Sequence, residues 1–146
     1  LDAEIARRAK ENDVARRLMT VPGIGPLIAT AIAVLAPPPE TFRKARDFAA
    51  WLGLVPRQHS TGGKQRLGAT TRMGERSLRR LLILGANSVI IKRHVHSSAR
   101  PGTWLAGMLS RKPPMLVRVA LANKMARIVW ALMAKGQDYR APAATA

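Results

Sequence analysis

Apolar residues recur at helical spacing, three or four positions apart, along most of this chain. Residues 1–19 are charged and thinly apolar, with Ile5, Ala9, Val14 and Leu18 near one face. This pattern predicts the end of a longer helix or coiled coil whose partner lies elsewhere. Residues 27–36 are apolar on every side, which predicts a buried helix that stops at the proline run 37–39.

Two amphipathic helices are predicted in the middle of the chain. Thr41 is expected to cap a helix that runs through Leu52, with Gly53 just beyond its end. A longer helix is expected from Glu75 to Arg93. Its predicted buried face consists of Leu78, Leu81, Leu82, Gly85, Ala86 and Val89.

Prolines separate two further predicted helices, a short one near 104–109 and a long one over 115–135. Apolar residues, among them Met115 and Val119, cover most of the long helix, and its methionines are expected to fill the core. The tail 141–146 is low in complexity and is expected to be disordered. The elements predict an all-α domain over residues 20–140.

Residues 54–74 differ from the rest because they contain four glycines and no sustained apolar period. This composition predicts a loop, with room for a short β-hairpin pivoting on Gly62 and Gly63.

Charge narrows the possible partners. The 146 residues include 25 Lys and Arg against 8 Asp and Glu, a net charge of +17, yet 47% of the chain is hydrophobic. Such a folded polycation attracts a polyanion, most often nucleic acid, with an acidic membrane surface as the rival. No apolar run reaches the roughly 20 residues of a membrane span, and no secretory leader is present, so neither a membrane protein nor an exported one is expected.

The absence of cysteine excludes disulfides, thiolate zinc sites and a cysteine nucleophile. His94 and His96 have no nearby carboxylate and make a poor metal site, so no metal is expected in this chain. The chain begins at Leu1 rather than Met, and we expect it to be part of a longer protein.

The first candidate binding element is the turn VPGIGP at 21–26. Gly23 and Gly25 permit a tight turn, and Pro26 suits the first turn of a helix, where N–H groups favour a phosphate. The turn is similar to that of helix-hairpin-helix motifs, which hold the DNA backbone. The alternative is an interhelical corner without a ligand.

The second candidate is the glycine-rich segment and the residues after it, which contain seven basic residues and a single acidic one, Glu75. These cations are Arg57, Lys64, Arg66, Arg72, Arg76, Arg79 and Arg80. Arg and Lys would neutralise charge that develops when a hydroxyl attacks phosphate, so Ser60 is a candidate nucleophile. The alternatives are a solvated basic face and a Ser60 that only hydrogen-bonds within a turn.

Arg118 falls within the apolar sector of the last predicted helix. Its side chain either snorkels or pairs with an internal carboxylate, or else it delivers a guanidinium to phosphate.

Three blocks in fixed order carry a family resemblance: VPGIGPLIATAIA, the long run from FRKARDFAAWLGLVPRQHSTGGKQ to RLLILGA, and WLAGMLSRKPPMLVRVALANKMARIVWAL. Over about residues 18–140 the chain resembles the C-terminal transposase domain of a bacterial insertion-sequence family. Members of that family join an N-terminal DEDD (RuvC-like) nuclease domain to a C-terminal domain with a catalytic serine, and characterised members are guided by a bridge RNA.

The resemblance implies that Ser60 attacks a DNA phosphate to form a phosphoserine intermediate, with Thr61 as the alternative nucleophile. The implied nucleic-acid contacts are Gly23, Gly25, Arg57, Gly62, Gly63, Lys64, Arg66, Arg72 and Arg76. It also implies Mg²⁺ in the DEDD domain, which this chain lacks, and a homo-oligomer formed through a coiled coil that ends within residues 1–19. The protein is expected in the bacterial cytoplasm, associated with the nucleoid.

Two other functions remain open. One is a non-catalytic helix-hairpin-helix module that only grips nucleic-acid backbone. The other is an RNA-binding protein of the ribosomal type.

Overall fold

The computed structural model describes residues 1–54, 72–92 and 102–140, with only the backbone of 72–74. These ranges contain seven α-helices and one 3₁₀ turn. They are α1 Asp2–Glu11, α2 Asp13–Leu18, α3 Pro26–Leu35, the 3₁₀ turn Pro39–Thr41, α4 Ala45–Trp51, α5 Arg72–Ile91, α6 Trp104–Arg111 and α7 Pro114–Lys135. No strand occurs in the described ranges, which confirms the predicted all-α class. The β-hairpin considered at Gly62 and Gly63 and the tail 141–146 lie outside them.

Helix α7 is the centre of the fold, because α5, α4 and α6 all pack against it. Its buried face consists of Val117, Leu121, Ala122, Met125, Ala126, Val129 and Leu132. The predicted buried face of α5 is confirmed at Leu78, Leu82, Gly85, Ala86 and Val89, while Leu81 is half-buried. Most of the core therefore follows from helical periodicity.

Aromatic rings close the core beside α4. Phe48 and Trp51 stack with their centroids 6.0 Å apart, and Phe42 meets Phe48 edge to face at 5.5 Å. The indole N–H of Trp130 donates to the carbonyl of Pro39 at 3.0 Å, which ties the 3₁₀ turn to α7.

Residues 1–19 form two helices rather than one continuous segment. The break is at Asn12, whose side chain accepts a hydrogen bond from the Ala15 N–H at 2.9 Å and so caps α2. Within the chain, α1 packs against α3, with Ala9 fully buried.

The predicted burial of α3 on every side is wrong. Ala29 and Ile32 are buried, but Leu27, Val34 and Leu35 are 56%, 73% and 45% exposed. The reason is tertiary: α1, α2 and α5 contact this helix, and they leave its outer face uncovered. The methionines of α7, which are expected to fill the core, divide: Met125 is buried, but Met115 at the start of the helix is exposed.

The predicted cap at Thr41 is also wrong. Residues Pro39–Thr41 instead form a 3₁₀ turn, Phe42 is extended, and α4 starts at Ala45 with Lys44 as its N-cap. Gly53 does follow the end of α4, with a left-handed φ of +74°.

None of the helices in the described ranges combines the length and apolarity needed to cross a membrane.

Candidate nucleic-acid interface

The turn between α2 and α3 is a tight hairpin built around two glycines. Gly23 has a φ of +89°, a conformation that side chains rarely adopt, and the Ile24 N–H donates to the carbonyl of Val21 at 3.1 Å. Gly25 is the N-cap of α3, and Pro26 occupies the first helical position. We call residues 19–25 the hairpin.

The hairpin is seated on α5 through a glycine–glycine contact. A Cβ on Gly85 would lie 2.5 Å from the Gly23 carbonyl oxygen, and a Cβ on Gly23 would lie 2.7 Å from the Gly85 carbonyl oxygen. Only glycine at both positions allows the two backbones to approach this closely. The contact therefore sets the position of the hairpin relative to α5.

A shallow groove of about 410 Å³ lies between the hairpin and the last turns of α5. Ser88 of α5 and Lys92, which directly follows α5, line it opposite the hairpin residues, and no carboxylate is among its described lining residues. The Thr20 hydroxyl is already used, because it donates to the Arg17 carbonyl and accepts from the Tyr139 N–H. The groove therefore presents the hairpin backbone, the Ser88 hydroxyl and the Lys92 ammonium group.

The start of α3 is open toward a ligand. No side chain caps it, so the N–H groups of Leu27 and Ile28 have no partner within the described parts of the chain. A Cβ on Gly25 would have no atom within 4 Å, which means that nothing obstructs this helix end. Unpaired N–H groups and the helix dipole together favour an anion such as phosphate.

A second basic surface lies at the opposite end of α5. Arg76 and Arg80, one turn apart, are both exposed. Arg79 is half-buried, and its guanidinium lies over the end of α4, where a Cβ on Gly53 would be 2.8 Å from Nη1. The charge of Arg79 thus interacts favourably with the carboxyl end of α4, whereas Arg76 and Arg80 are available to a ligand.

The cations of α5, α6 and α7 are not neutralised within the described ranges. All four ion pairs found there lie between residues 4 and 16, and they join Arg7 and Arg8 to Glu4, Arg7 to Glu11, and Arg16 to Asp13. Hydrogen bonds from Arg7 and Arg8 lower the pKa of Glu4. Among the described residues, the cations outside α1 and α2 therefore form no ion pair and can meet an external anion.

The glycine-rich loop begins at a firmly held residue. Leu54 is buried, and its carbonyl accepts a hydrogen bond from the Asn123 amide of α7 at 3.0 Å. The next described residue after Leu54 is Arg72, where α5 begins. The described residues on either side of this segment are therefore Leu54, which is bonded to α7, and Arg72, the first residue of α5.

The hairpin groove and the second basic surface are far apart along α5. Sixteen residues separate Arg76 from Lys92, which at 1.5 Å per residue amounts to roughly 24 Å. One phosphate cannot span that length, so the two basic surfaces would meet different phosphates of a nucleic acid.

Arg118 is half-buried on α7, and its Nε is buried without a hydrogen-bond partner. Among the described residues no carboxylate forms an ion pair with it. One of the predicted alternatives for Arg118 was an internal carboxylate partner. No such partner is found within the described ranges.

Only part of the predicted site can be placed. Gly23 and Gly25 lie in the hairpin, Arg72 begins α5, and Arg76 is exposed on that helix. The three histidines lie outside the described ranges. So do seven predicted site residues: Arg57, Ser60, Thr61, Gly62, Gly63, Lys64 and Arg66. Within the described ranges no group of three or more His, Asp or Glu could hold a metal ion.

Sequence reasoning missed Ser88 and Lys92 as groove residues. Ser88 lies on α5 and Lys92 directly follows it, more than 60 residues after the hairpin, and they carry no local motif. The one available signal was Gly85, since a glycine inside a helix often marks a close backbone approach.

Comparison with known proteins decides the family. The model of the transposase IS116/IS110/IS902 family matches residues 15–100, which is more than half of the chain. The chain belongs to this transposase family. The matched residues include the hairpin, the glycine-rich loop and all of α5.

Individual relatives of this transposase family agree with the assignment. The chain is 49% identical over 140 residues to a Pseudomonas aeruginosa protein named “Probable family 20 transposase”, covering 96% of the chain and 41% of that protein. It is 39% identical over 136 residues to the transposase for insertion sequence element IS1328 of Yersinia enterocolitica, covering 93% and 40%. It is 36% identical over 140 residues to the transposase for insertion sequence element IS1111A of Coxiella burnetii, covering 95% and 38%.

The chain spans about two fifths of the length of these curated relatives. No solved structure matches it significantly.

Proposed function

We propose that this chain is the DNA-binding and strand-cleaving part of an insertion-sequence transposase. The observation that carries the proposal is the groove between the hairpin and α5, which Ser88 and Lys92 line without any carboxylate among its described lining residues. Gly25, at the uncapped start of α3, also lines this groove. Membership of the transposase family supports DNA as the anion.

The proposed mode of binding is backbone recognition at two places. Phosphate oxygens accept hydrogen bonds from the first turn of α3, and Lys92 supplies the counter-charge. Arg72 and Arg76 contact a second phosphate roughly 24 Å further along, near the glycine-rich loop. Neither surface reads bases, since contacts to phosphate position the protein on DNA without carrying sequence information.

Binding is tested with duplex DNA at several salt concentrations. Replacing Lys92 with Gln removes one phosphate contact, so the log–log salt slope of the affinity should become shallower by about 0.9. The matched control is Lys112→Gln, which removes the same charge beside the start of α7. The hairpin lies near the carboxyl end of α7, because the N–H of Tyr139, shortly after that end, hydrogen-bonds the Thr20 hydroxyl. Lys112 therefore lies at the end of α7 that is away from the hairpin. Equal slopes for both variants would exclude the groove as a phosphate site.

The proposed chemistry is nucleophilic attack by the Ser60 hydroxyl on a DNA phosphate. The new bond joins Oγ to phosphorus, the bond from phosphorus to the 3′ oxygen breaks, and the proton ends on the released 3′ hydroxyl. A 3′ hydroxyl of another strand then attacks the phosphoserine and releases Ser60. Thr61, one position on, is the alternative nucleophile.

Glycines and cations give this loop its proposed role. Gly62 and Gly63 let the backbone approach phosphate closely, since they have no side chain in the way. Arg57, Lys64 and Arg66 offset the charge that develops on the phosphate oxygens during attack.

We propose that the remainder of the longer protein completes the site with a DEDD nuclease-like domain that binds Mg²⁺. The described residues do not fit such a metal, because they hold no cluster of three or more His, Asp or Glu. We also propose that a bridge RNA guides the protein and that residues 1–19 end the coiled coil through which copies assemble.

Serine chemistry is tested by trapping a covalent protein–DNA adduct with the full-length transposase and its DNA. Ser60→Ala should abolish the adduct. An adduct that persists in this variant would exclude Ser60, and one that also persists in the double variant Ser60→Ala, Thr61→Ala would exclude serine or threonine chemistry in this loop.

The non-catalytic binding module predicts another result of the same experiment. DNA would bind with a steep salt dependence, and no adduct would form with either the wild type or the variants.

A further inference from the structure

One aromatic side chain stands apart from the other five. All six aromatic residues of the chain lie in the described ranges, and five of them are buried or half-buried. Trp104, at the first position of α6, is 38% exposed. An exposed indole presents a flat apolar ring together with an N–H donor, which suits it to contact with a ligand.

Lysine packs against this indole. The Lys124 ammonium of α7 lies 4.4 Å from the centroid of the Trp104 ring, a cation–π contact that orients the ring. Arg127 is exposed one turn further along α7. Burial, together with the nearby Arg127, lowers the pKa of Lys124.

No carboxylate of the described ranges forms an ion pair with Lys124 or Arg127. One cation on a partly exposed ring and a second cation one turn away, neither in an ion pair with a described residue, match a ligand that carries an anion next to a flat apolar surface. A nucleotide supplies both, through its phosphate and its base. An apolar protein partner would cover the indole and leave the two cations unpaired.

We propose that Trp104, Lys124 and Arg127 form a stacking site for an unpaired nucleotide of DNA or RNA. The base stacks on the part of the indole that Lys124 leaves exposed, and the two cations bind its phosphate. An unpaired base is required because a base within a duplex has both faces covered by its neighbours. This inference rests on the proposed nucleic-acid binding, but it concerns helices α6 and α7 rather than the hairpin groove.

The test is a titration of the full 146-residue chain with oligodeoxyuridylate, followed by tryptophan fluorescence and by anisotropy of a labelled oligonucleotide. The base should quench the emission of Trp104. Trp104→Leu should lose that quenching and bind about 5- to 50-fold more weakly, as expected for the loss of one stacked base. Trp104→Tyr should retain most of the affinity because its ring still stacks.

Controls separate stacking from charge and from packing. Leu116→Ala removes another exposed apolar side chain, 58% exposed, and should bind like the wild type. Inorganic polyphosphate carries charge without bases, so it should compete for the cations without quenching Trp104. Lys124→Gln should flatten the salt slope by about 0.7, the value per phosphate of a single strand.

The outcomes distinguish this site from the hairpin groove. Unchanged oligonucleotide affinity in both Trp104→Leu and Lys124→Gln would overturn the stacking site, while a weakened Lys92→Gln would leave backbone binding standing. Absence of any nucleic-acid binding by the wild type would overturn both proposals. Oligouridylate, which differs from the DNA probe at the 2′ hydroxyl, shows by its relative affinity whether RNA or DNA is preferred.

Discussion

At the scale of single residues, two glycines 62 positions apart decide how the hairpin is placed. Gly85→Ala would bring a Cβ to 2.5 Å from the backbone carbonyl of Gly23, which cannot move aside as a flexible side chain could. We expect a loss of about 2 kcal/mol or more in the free energy of unfolding, measured by urea denaturation.

The control is Gly107→Ala in α6, where an added Cβ meets nothing within 4 Å. This variant should gain about 0.5–1 kcal/mol, because alanine is the better helix former. Similar stabilities for the two variants would show that the glycine–glycine contact is looser than described.

Thr30 offers a gain of stability within α3. Its hydroxyl oxygen is buried and has no hydrogen-bond partner. Thr30→Val keeps the shape and removes the unsatisfied group, so the free energy of unfolding should rise by about 1 kcal/mol. Thr41→Val, at an exposed threonine, should change it little. A loss of stability in Thr30→Val would reveal a partner for the hydroxyl.

At the scale of elements, α7 holds two non-helical segments through side-chain hydrogen bonds to their carbonyls. Asn123 holds Leu54, at the start of the glycine-rich loop, and Trp130 holds Pro39, each at 3.0 Å. Because both bonds lie on one helix, they form a matched pair for mutation.

Asn123→Ala and Trp130→Phe should each cost about 1 kcal/mol of unfolding free energy. Only Asn123→Ala releases the carbonyl of Leu54, at the start of the glycine-rich loop. This variant alone should therefore speed tryptic cleavage at Arg57, Lys64 or Arg66. The measurement is limited proteolysis under native conditions, read by mass spectrometry. Equal cleavage rates in the two variants would contradict the tethering of the loop by Asn123.

At the scale of the whole molecule, the two basic ends of α5 predict a dependence on DNA length. Their separation of roughly 24 Å corresponds to about seven base pairs at 3.4 Å each. A duplex of about 12 base pairs can reach both surfaces, and one of about 5 can reach only one. The longer duplex should therefore show the steeper salt slope.

Lys92→Gln should reduce this difference between the two lengths, because it weakens one of the two surfaces. The same slope for both duplexes in the wild type would show that a single surface binds DNA. A salt-independent affinity would contradict the argument from the net charge of +17 itself.

The helices themselves were largely predictable from the sequence. The bounds of α5, α6 and α7 differ from the predicted ones by three residues or fewer, and the buried stripe of α5 was predicted almost in full. These features depend on residues three or four positions apart, so the information is local. The hairpin was predictable for the same reason, since Gly23, Gly25 and Pro26 act within a few residues.

The sequence by itself thus determined the all-α class, the hairpin and the surplus of positive charge. Only the tertiary structure decided that α3 keeps an uncovered face, that Lys92 faces the hairpin and that Lys124 lies on Trp104. Each of these depends on which helices pack together and at what rotation. Helical periodicity assigns a residue to a face of its own helix, but the neighbour of that face is chosen by packing between segments distant in sequence.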